Sequence, residues 1–317
     1  TVAASNGFDT FSLAGGAAGG GSNGIGAAAS VVTIDNVTRA ALADGSGSAD
    51  AVTIAAPGVV TISADASETG KTFTAAGAAA GSNAVGAGAA VYVLGTTTEA
   101  LVGAYATIGT STTIHPDSVS LEASDDTDLT TVAGAIAGGG TVGAGAGAAV
   151  GVVIKTTTAS LADNATVYAG NVSVGATSSE QALTTAVRVG IGGTAGLAGA
   201  LSVYAVSDTT TAEIGDASVW ADRNVAVLSS DDVAIDFISG AAGFSGTAAV
   251  GAAASVAVVT THTHALIDDG ASVTALGNGN PTSDAVSYVS GYTPALGGAS
   301  GDYAAPTPGD YAYSTTG

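Results

Sequence analysis

Acidic residues recur just after short alternating segments of this chain, and their spacing is the first feature that could support chemistry. We expect repeated segments to stack, which would bring these carboxylates together at one corner of the fold. Calcium prefers carboxylate and carbonyl oxygens in loops, and it would relieve the repulsion among them. The pattern therefore predicts a calcium site, with a solvated acidic edge as the alternative. The residues concerned are Asp125, Asp126, Asp128, Asp231 and Asp232.

A pair of histidines is the second candidate for metal chemistry. His262 and His264 lie two residues apart, so a strand would place both on one face. In the repeat register they replace Thr209 and Thr211, which are not transition-metal ligands, and no third ligand is identifiable. The pattern favours two exposed polar residues on a sheet face over a metal site.

Motifs for catalysis or cofactor binding have little support. Gly138, Gly140 and Gly143 match G-x-G-x-x-G, but 48 glycines make such matches common by chance, and no helix follows them. A solenoid lyase or hydrolase would need convergent carboxylates or a basic residue in a groove, and the five basic residues differ in their repeat positions. We expect no enzyme and no resident cofactor, apart from the calcium considered above.

The last part of the chain, residues 281–317, differs in composition from the rest. It is rich in proline, tyrosine and glycine, and proline at this density is incompatible with a central strand. We predict a loop insertion or a linker. Tyr303, Tyr311 and Tyr313 could form a contact surface for a glycan or a protein, with an ordinary exposed loop as the alternative.

Residues 1–280 form a repeat array. A glycine between two Ala/Gly-rich runs recurs five times, and 19 residues after each one an alanine closes a Thr-rich stretch. The distance from a preceding valine is also fixed, at 21 residues from Val60 to Gly81 for example, and all length variation lies between the alanine and the next valine. This predicts a rigid unit with one variable, loop-bearing edge. The anchor glycines are Gly21, Gly81, Gly140, Gly193 and Gly246.

The array begins in the middle of a repeat. Val2 and Ala4 fall where Ile62 and Ala64 fall one repeat later, and the chain has no initiator Met. We therefore expect it to be a segment of a longer polypeptide.

The elements that carry these residues are expected to be strands. Val172-Ser-Val174-Gly-Ala176 alternates with period two, and glycine alternates with alanine in Gly143–Gly147, which would let two sheet faces approach closely. We predict an all-β, rod-shaped β-solenoid, either a parallel β-helix or a flattened relative of it. Two turns per repeat would give ten turns and a height of about 48 Å. Stacked antiparallel hairpins are the alternative.

Membrane-spanning helices are disfavoured by the glycine content and by the absence of Lys/Arg clusters.

Composition restricts the partners. The net charge of −21 arises from 26 acidic and 5 basic residues, so no basic stripe is available to neutralise nucleic-acid phosphates. The same charge disfavours an anionic membrane surface, and we expect no membrane insertion. The chain has no cysteine and no methionine, which suits an exposed extracellular protein.

The order of an Ala/Gly hairpin, a Thr-rich strand and a V-x-V-x-A strand followed by Asp or Ser resembles the repeats of large bacterial surface proteins, namely the filamentous adhesins and the leukotoxin-type β-strand-repeat proteins. The resemblance covers residues 1–280. It implies a structural segment of an extracellular fibre or adhesin stalk that presents variable loops and self-assembles end to end or laterally. The alternative is a glycan- or surface-binding module that uses the Tyr-rich C-terminal stretch.

Overall fold

The computed structural model describes residues 1–45, 47, 50–277 and 286–289, and their regular elements are all β-strands. The strands form three parallel sheets, and successive strands pass from one sheet to the next. The chain is therefore a β-solenoid, as predicted, and it has three faces. The antiparallel hairpin alternative is wrong, because strands within each sheet run parallel. No helix in the described part of the chain is long and apolar enough to span a membrane.

Each sheet takes every third strand of the chain. Sheet A contains β1 (Val2–Gly20), β4 (Val59–Ala80), β7 (Ser118–Gly139), β10 (Asn171–Gly192), β13 (Val225–Ser245) and β16 (Val286–Val289). Sheet B contains β2 (Asn23–Leu42), β5 (Asn83–Val102), β8 (Val142–Leu161), β11 (Ala195–Ile214) and β14 (Ala248–Ile267). Sheet C contains β3 (Thr53–Ile54), β6 (Thr107–Ile108), β9 (Thr166–Ala169), β12 (Ser218–Ala221) and β15 (Ser272–Ala275).

One repeat makes one turn of the solenoid. Val119 pairs with Val60 on one side and with Val172 on the other, so equivalent valines of successive repeats are direct neighbours. The expectation of two turns per repeat is wrong, because the two halves of each Ala/Gly run belong to two different sheets. Five turns at about 4.8 Å each make a stack about 24 Å high. The longest strands, at 22 residues, are about 70 Å long.

Each repeat consists of three arcs, two of fixed length (valine to glycine and glycine to alanine) and one of variable length (alanine to the next valine), and they have separate structural roles. The fixed arcs are the long strands of sheets A and B, joined by a two-residue bend. The variable arc carries the short strands of sheet C together with the loops before and after it. The loop between β6 and β7, for example, spans nine residues (Gly109–Asp117), whereas Gly170 alone separates β9 from β10. The variable, loop-bearing edge is therefore confirmed, but its third sheet was not predicted.

The anchor glycines form the bends between sheets A and B and stack directly on one another. A Cβ atom added to Gly140 would lie far inside van der Waals contact of the carbonyl oxygen of Gly81, one turn away. Gly193 has the same relation to Gly140. No side chain fits at this position once another turn is stacked on it, which explains why glycine recurs there.

The interior is a wedge that is narrowest at these bends. Sheets A and B converge towards a tip formed by the bends, where a Cβ on Gly86 would be 2.8 Å from the Ile136 carbonyl oxygen and one on Gly145 would be 2.7 Å from that of Val189. The predicted close approach of the Ala/Gly strands is therefore confirmed. Towards the base, the end of the wedge closed by sheet C, the sheets separate and enclose aliphatic side chains such as Ile62, Leu121 and Val167.

Both ends of the described array keep the repeat register. Val2 pairs with Ile62, as predicted from the sequence. At the other end, Val286 pairs with Val225, so β16 begins a sixth turn of sheet A. The solenoid repeat thus resumes beyond residue 280, inside the region predicted to be a loop insertion or linker.

We predict that the tip tolerates a methyl group on its outside but not on its inside. Gly143→Ala would press Cβ against the backbone of Ile191 in the facing sheet, whereas nothing lies within 4 Å of a Cβ at Gly138, on the outside of β7. The inner substitution should lower the free energy of unfolding by about 3 kcal/mol. Gly138→Ala should change it by less than about 0.5 kcal/mol. Urea denaturation of both variants measures the difference, and equal losses would contradict the close approach of the sheets.

Candidate functional site

The chemistry-bearing residues of the interior lie midway between base and tip. At this level the wedge is too wide for Ala and Gly alone, and polar side chains from sheets A and B meet across it. We call this set the interior ladder, because its members occupy adjacent positions in successive turns. Its ionisable members are Glu68, Asp125, Lys155, Glu180, Asp208 and Asp231, all of them buried.

A lysine–aspartate pair forms the centre of the interior ladder. Lys155 Nζ lies 2.8 Å from Asp125 Oδ1, and neither side chain has any exposed surface. Lys155 also donates to Thr127 Oγ1 at 3.1 Å and to the Ser179 carbonyl oxygen at 2.8 Å. Asp125 accepts hydrogen bonds from the hydroxyls of two threonines on β5. Burial is the largest single influence and acts to lower the pKa of Lys155. The charges of Asp125, Glu180 and Asp208 and the hydrogen bond to Asp125 together outweigh it, so the pKa lies above its usual value.

Glu180 lies beyond this pair in the next turn. Its carboxyl accepts a hydrogen bond from the Tyr204 hydroxyl, and its other oxygen is 3.9 Å from Lys155 Nζ. Burial raises the pKa of Glu180 to about 8, because Lys155 offsets only part of the cost of removing the charge from water. Glu180 is therefore mainly protonated at neutral pH, and Asp125 is the nearest partner of Lys155.

Glu68 continues the interior ladder towards the first turn. It accepts a hydrogen bond of 2.8 Å from Asn36 Nδ2, and Asn36 Oδ1 accepts one from Asn6. Thr127 donates to the second Glu68 oxygen at 3.3 Å, which links Glu68 to the Lys155–Asp125 pair. Burial, followed by the charge of Asp125, raises the pKa of Glu68 to about 7.

Asp208 and Asp231 form the opposite end of the interior ladder. Asp208 accepts a hydrogen bond from Ser178 and a long one, 3.4 Å, from Thr210. Burial, and next the charge of Asp208, raise the pKa of Asp231 to about 7. Asp231 is therefore partly protonated at neutral pH, because a second negative charge in this poorly hydrated interior is costly.

The interior ladder acts mainly as a cross-link between turns. Its hydrogen bonds join sheet A to sheet B and each turn to the next, and the members are buried. A parallel stack of nearly identical turns could slip by one turn or by two residues. The polar contacts penalise such slips, because a shifted register would leave buried charges and hydroxyls without partners.

The predicted calcium residues do not form one cluster. They lie within the long strands β7 and β13, so the expected corner position is wrong. Asp125 and Asp231 point inwards, whereas Asp126, Asp128 and Asp232 are exposed on the outer face of sheet A. Adjacent residues of a strand face opposite sides, which separates them. Among the described residues no group of three or more His, Asp or Glu side chains is placed to hold a metal ion, and calcium binding stays a prediction.

The histidine pair and the G-x-G-x-x-G glycines lie on strands and in a bend of the solenoid. His262 and His264 are exposed on β14 with ring centroids 6.3 Å apart, and they pair in register with Thr209 and Thr211. This is the predicted arrangement of two polar residues on a sheet face. The glycines of the G-x-G-x-x-G match lie in β7, in a bend and in β8, with no helix after them.

The predicted contact residues Tyr303, Tyr311 and Tyr313 lie outside the described residues.

Sequence reasoning missed two buried cations, Lys155 and Arg188. Arg188 is fully buried near the tip and donates to the carbonyl oxygens of Ala133 and Gly88, and burial lowers its pKa. The signal was present in the alternation itself. Lys155 is four residues before the inward-facing Ala159, and Arg188 is sixteen residues after the inward-facing Val172, so both share the inward parity of their strands.

Comparisons with known proteins found no matching family model, no matching curated protein and no matching solved structure.

We predict that the buried lysine is needed for stability and that an exposed one is not. Lys155→Met would leave Asp125 buried without its counter-ion and should lower the free energy of unfolding by about 3–5 kcal/mol. Lys71→Met, at an exposed outward position on β4, should change it by less than about 0.5 kcal/mol. Combining Lys155→Met with Asp125→Leu should recover most of the loss in chemical denaturation, since both charges are then gone. A double variant as unstable as the single one would contradict this assignment.

We predict that the protein becomes less stable as the pH rises from about 5 to about 8. Folding raises the pKa values of Glu68 and Asp231 to about 7 and that of Glu180 to about 8, so the folded state binds more protons than the unfolded state in this range. Their contribution is complete below the unfolded pKa values and is lost as the pH passes through the folded ones.

The variant Glu180→Gln tests the assignment, because glutamine keeps an oxygen that can accept from Tyr204 but cannot ionise. Thermal unfolding measured from pH 5 to 8.5 should show a shallower decline for this variant. The matched control is Glu122→Gln, at an exposed position on the outer face of β7, which should retain the full decline. An unchanged slope in Glu180→Gln would show that another group binds the proton.

Proposed function

We propose that this chain is a structural segment of an extracellular bacterial fibre, of the kind that forms an adhesin stalk, and that its turns continue axially into further turns of the same kind. The proposal is supported by the β-solenoid fold, by the loops along one edge and by the open ends of the stack. The interior has the character of a scaffold, because hydrogen bonds and an ion pair among its buried side chains join the two long sheets and successive turns.

The main support for the proposal is the exposure of inward residues in the first and fifth turns of sheet B. In sheet B, Tyr204 of the fourth turn is buried, but Ala257, the inward residue stacked on it, is exposed. Tyr92 of the second turn is buried, whereas its neighbour Val32 of the first turn is only half-buried. Within the described residues, both end turns of sheet B thus expose inward positions, and strands β2 and β14 each have one long side with no described strand paired to it. Such edges bind another strand unless they are blocked.

The form of the cross-section suits a stalk. A turn can be added without any change of fold, because each turn packs only on its neighbours and each sheet gains one strand. Variation is tolerated at the base, where sheet C and its loops lie, and the long strands of sheets A and B keep their lengths. A stalk of this type would present different loops along one side while keeping a constant core.

Charge and composition support an extracellular location. The net charge of −21 limits non-specific association, and the absence of cysteine and methionine leaves no sulfur to oxidise. Glycan binding through Tyr303, Tyr311 and Tyr313 stays a prediction, since no described residue supports it.

We predict end-to-end stacking of the purified chain. Electron microscopy at rising protein concentration should show particles whose axial length increases in steps of about 24 Å, the height of five turns. Ala257→Lys should abolish the longer particles, because it would bury an ammonium group between two stacked ends. In the isolated chain the same lysine stays in water, so folding should be unaffected.

Thr260→Lys is the matched control, because Thr260 lies on the same strand and is exposed on its outer face. This variant should stack as the parent does. Particles of one unit length at all concentrations in the parent chain would overturn the proposal.

A further inference from the structure

The outer face of sheet B carries an uncharged apolar surface close to the tip. It consists of five successive outward residues in each turn, from the second outward residue of the strand onwards, and all of them except Thr33 are Ala, Val, Ile, Leu or Gly. The first outward position, next to the bend, is asparagine in the first two turns, Asn23 and Asn83, and apolar in the other three. Ile25, Val31 and Val250 are 72%, 69% and 56% exposed. We call this surface the apolar face. Its residues are the outward members of the ranges 25–33, 85–93, 144–152, 197–205 and 250–258.

The apolar face has a regular relief. One column of stacked residues is valine in every described turn, and we call it the valine ridge. The column four residues before it contains only alanine and one glycine, and we call it the alanine groove. The valine ridge consists of Val31, Val91, Val150, Val203 and Val256, and the alanine groove of Ala27, Ala87, Ala146, Gly199 and Ala252.

The apolar face has the area of a stable protein interface. Five strands about 4.8 Å apart span about 24 Å, and five alternate residues span about 33 Å along the strands, so the face covers about 800 Å². Two such faces would bury about 1,600 Å², the size of a typical specific complex. An exposed apolar patch of this size is unusual for a soluble monomer, in which the largest patches reach about 300–600 Å².

We propose that the apolar face binds the same face of a second copy of this chain. A two-fold axis that runs along the stack and passes over the column between ridge and groove places each valine ridge in the partner's alanine groove. Ala148 lies in this central column, two residues from Ala146 and two from Val150. The contact is made twice by symmetry, as in other isologous interfaces.

This orientation of the axis leaves the ends of the stack free. Each turn faces the equivalent turn of the partner, so the paired solenoids grow in the same direction and the pairing can continue along any number of turns. The inference goes beyond the proposed axial stacking and does not depend on it, because it uses a different surface. Lateral pairing would double the width of a fibre and protect its thinnest part.

The relief favours a second copy over a lipid surface. A bilayer requires only apolarity, whereas here the valine ridge and the alanine groove run unbroken through all five turns, and the column between them is alanine in every turn except the fourth, where it is Leu201. The outer face of sheet A provides the contrast. It is also apolar near the tip, but a column such as Gly15, Ala75, Gly134, Val187 and Gly240 mixes small and large residues without a continuous ridge.

The experiment is performed on the Ala257→Lys chain, so that axial stacking does not contribute to the measured mass. Sedimentation equilibrium should show a monomer–dimer equilibrium. Val150→Lys should raise the dissociation constant roughly 100-fold, because two unpaired ammonium groups would be buried in the symmetric interface. Ile136→Lys, at a 58% exposed apolar position on the outer face of sheet A in the same turn, should leave the dissociation constant unchanged.

Ala146→Phe distinguishes specific packing from general stickiness. It makes the apolar face more hydrophobic but fills the alanine groove, so the proposal expects weaker dimerisation, whereas non-specific association or binding to neutral phosphatidylcholine vesicles would be strengthened. Circular dichroism checks that each variant is folded. A monomeric Ala257→Lys chain, equal effects of Val150→Lys and Ile136→Lys, or tighter association of Ala146→Phe would each overturn the proposal. Loss of axial stacking with intact dimers would leave it standing.

Discussion

The structure depends on one constraint, which is that every residue of the long strands and of the bends between them lies directly above its equivalent in the turn before. In a parallel stack with a spacing of about 4.8 Å, a side chain must be compatible both with its own copy and with the facing sheet. At the bends no side chain meets this condition, because a Cβ on Gly140 or Gly193 would collide with the carbonyl oxygen of the preceding bend. Glycine therefore recurs at the bend position of every repeat because any other residue would cause this collision.

The same constraint explains why charges are tolerated inside the wedge. Identical charges stacked in one column would repel strongly, and the columns of the interior ladder therefore alternate. The column that contains Lys155 continues with Thr96 in one direction and Asp208 in the other, and Asp125 is followed by Ser178. Protonation lowers the cost of burying the remaining carboxyls, since the raised pKa values leave Glu180 mainly protonated and Glu68 partly protonated at neutral pH. The array thus gains a defined register at the expense of stability at alkaline pH.

The general architecture could be predicted from the sequence because it is set by spacing. The fixed arcs, the bend glycines, the variable edge and the register of Val2 with Ile62 all follow from counting residues. The number of turns could not, because the two halves of an Ala/Gly run look alike and nothing local shows that they belong to different sheets. The interior ladder was missed for a related reason. Neighbouring aspartates such as Asp125 and Asp126 look like one acidic cluster in the sequence, although in a strand they point to opposite faces, one inwards and one outwards.

The wedge also separates the roles of its two ends. Near the tip the sheets are so close that only Ala, Gly and a few larger side chains fit inside, so burial there yields little hydrophobic free energy per residue. Near the base Ile62, Leu121 and Val167 form a conventional core, and the loops there can vary without disturbing it. A thin tip with two apolar outer faces is therefore the part that gains most from contact with another surface. The acidic outward residues Asp126, Asp128 and Asp232 lie outside this region on sheet A, so their charges do not oppose contact at the tip.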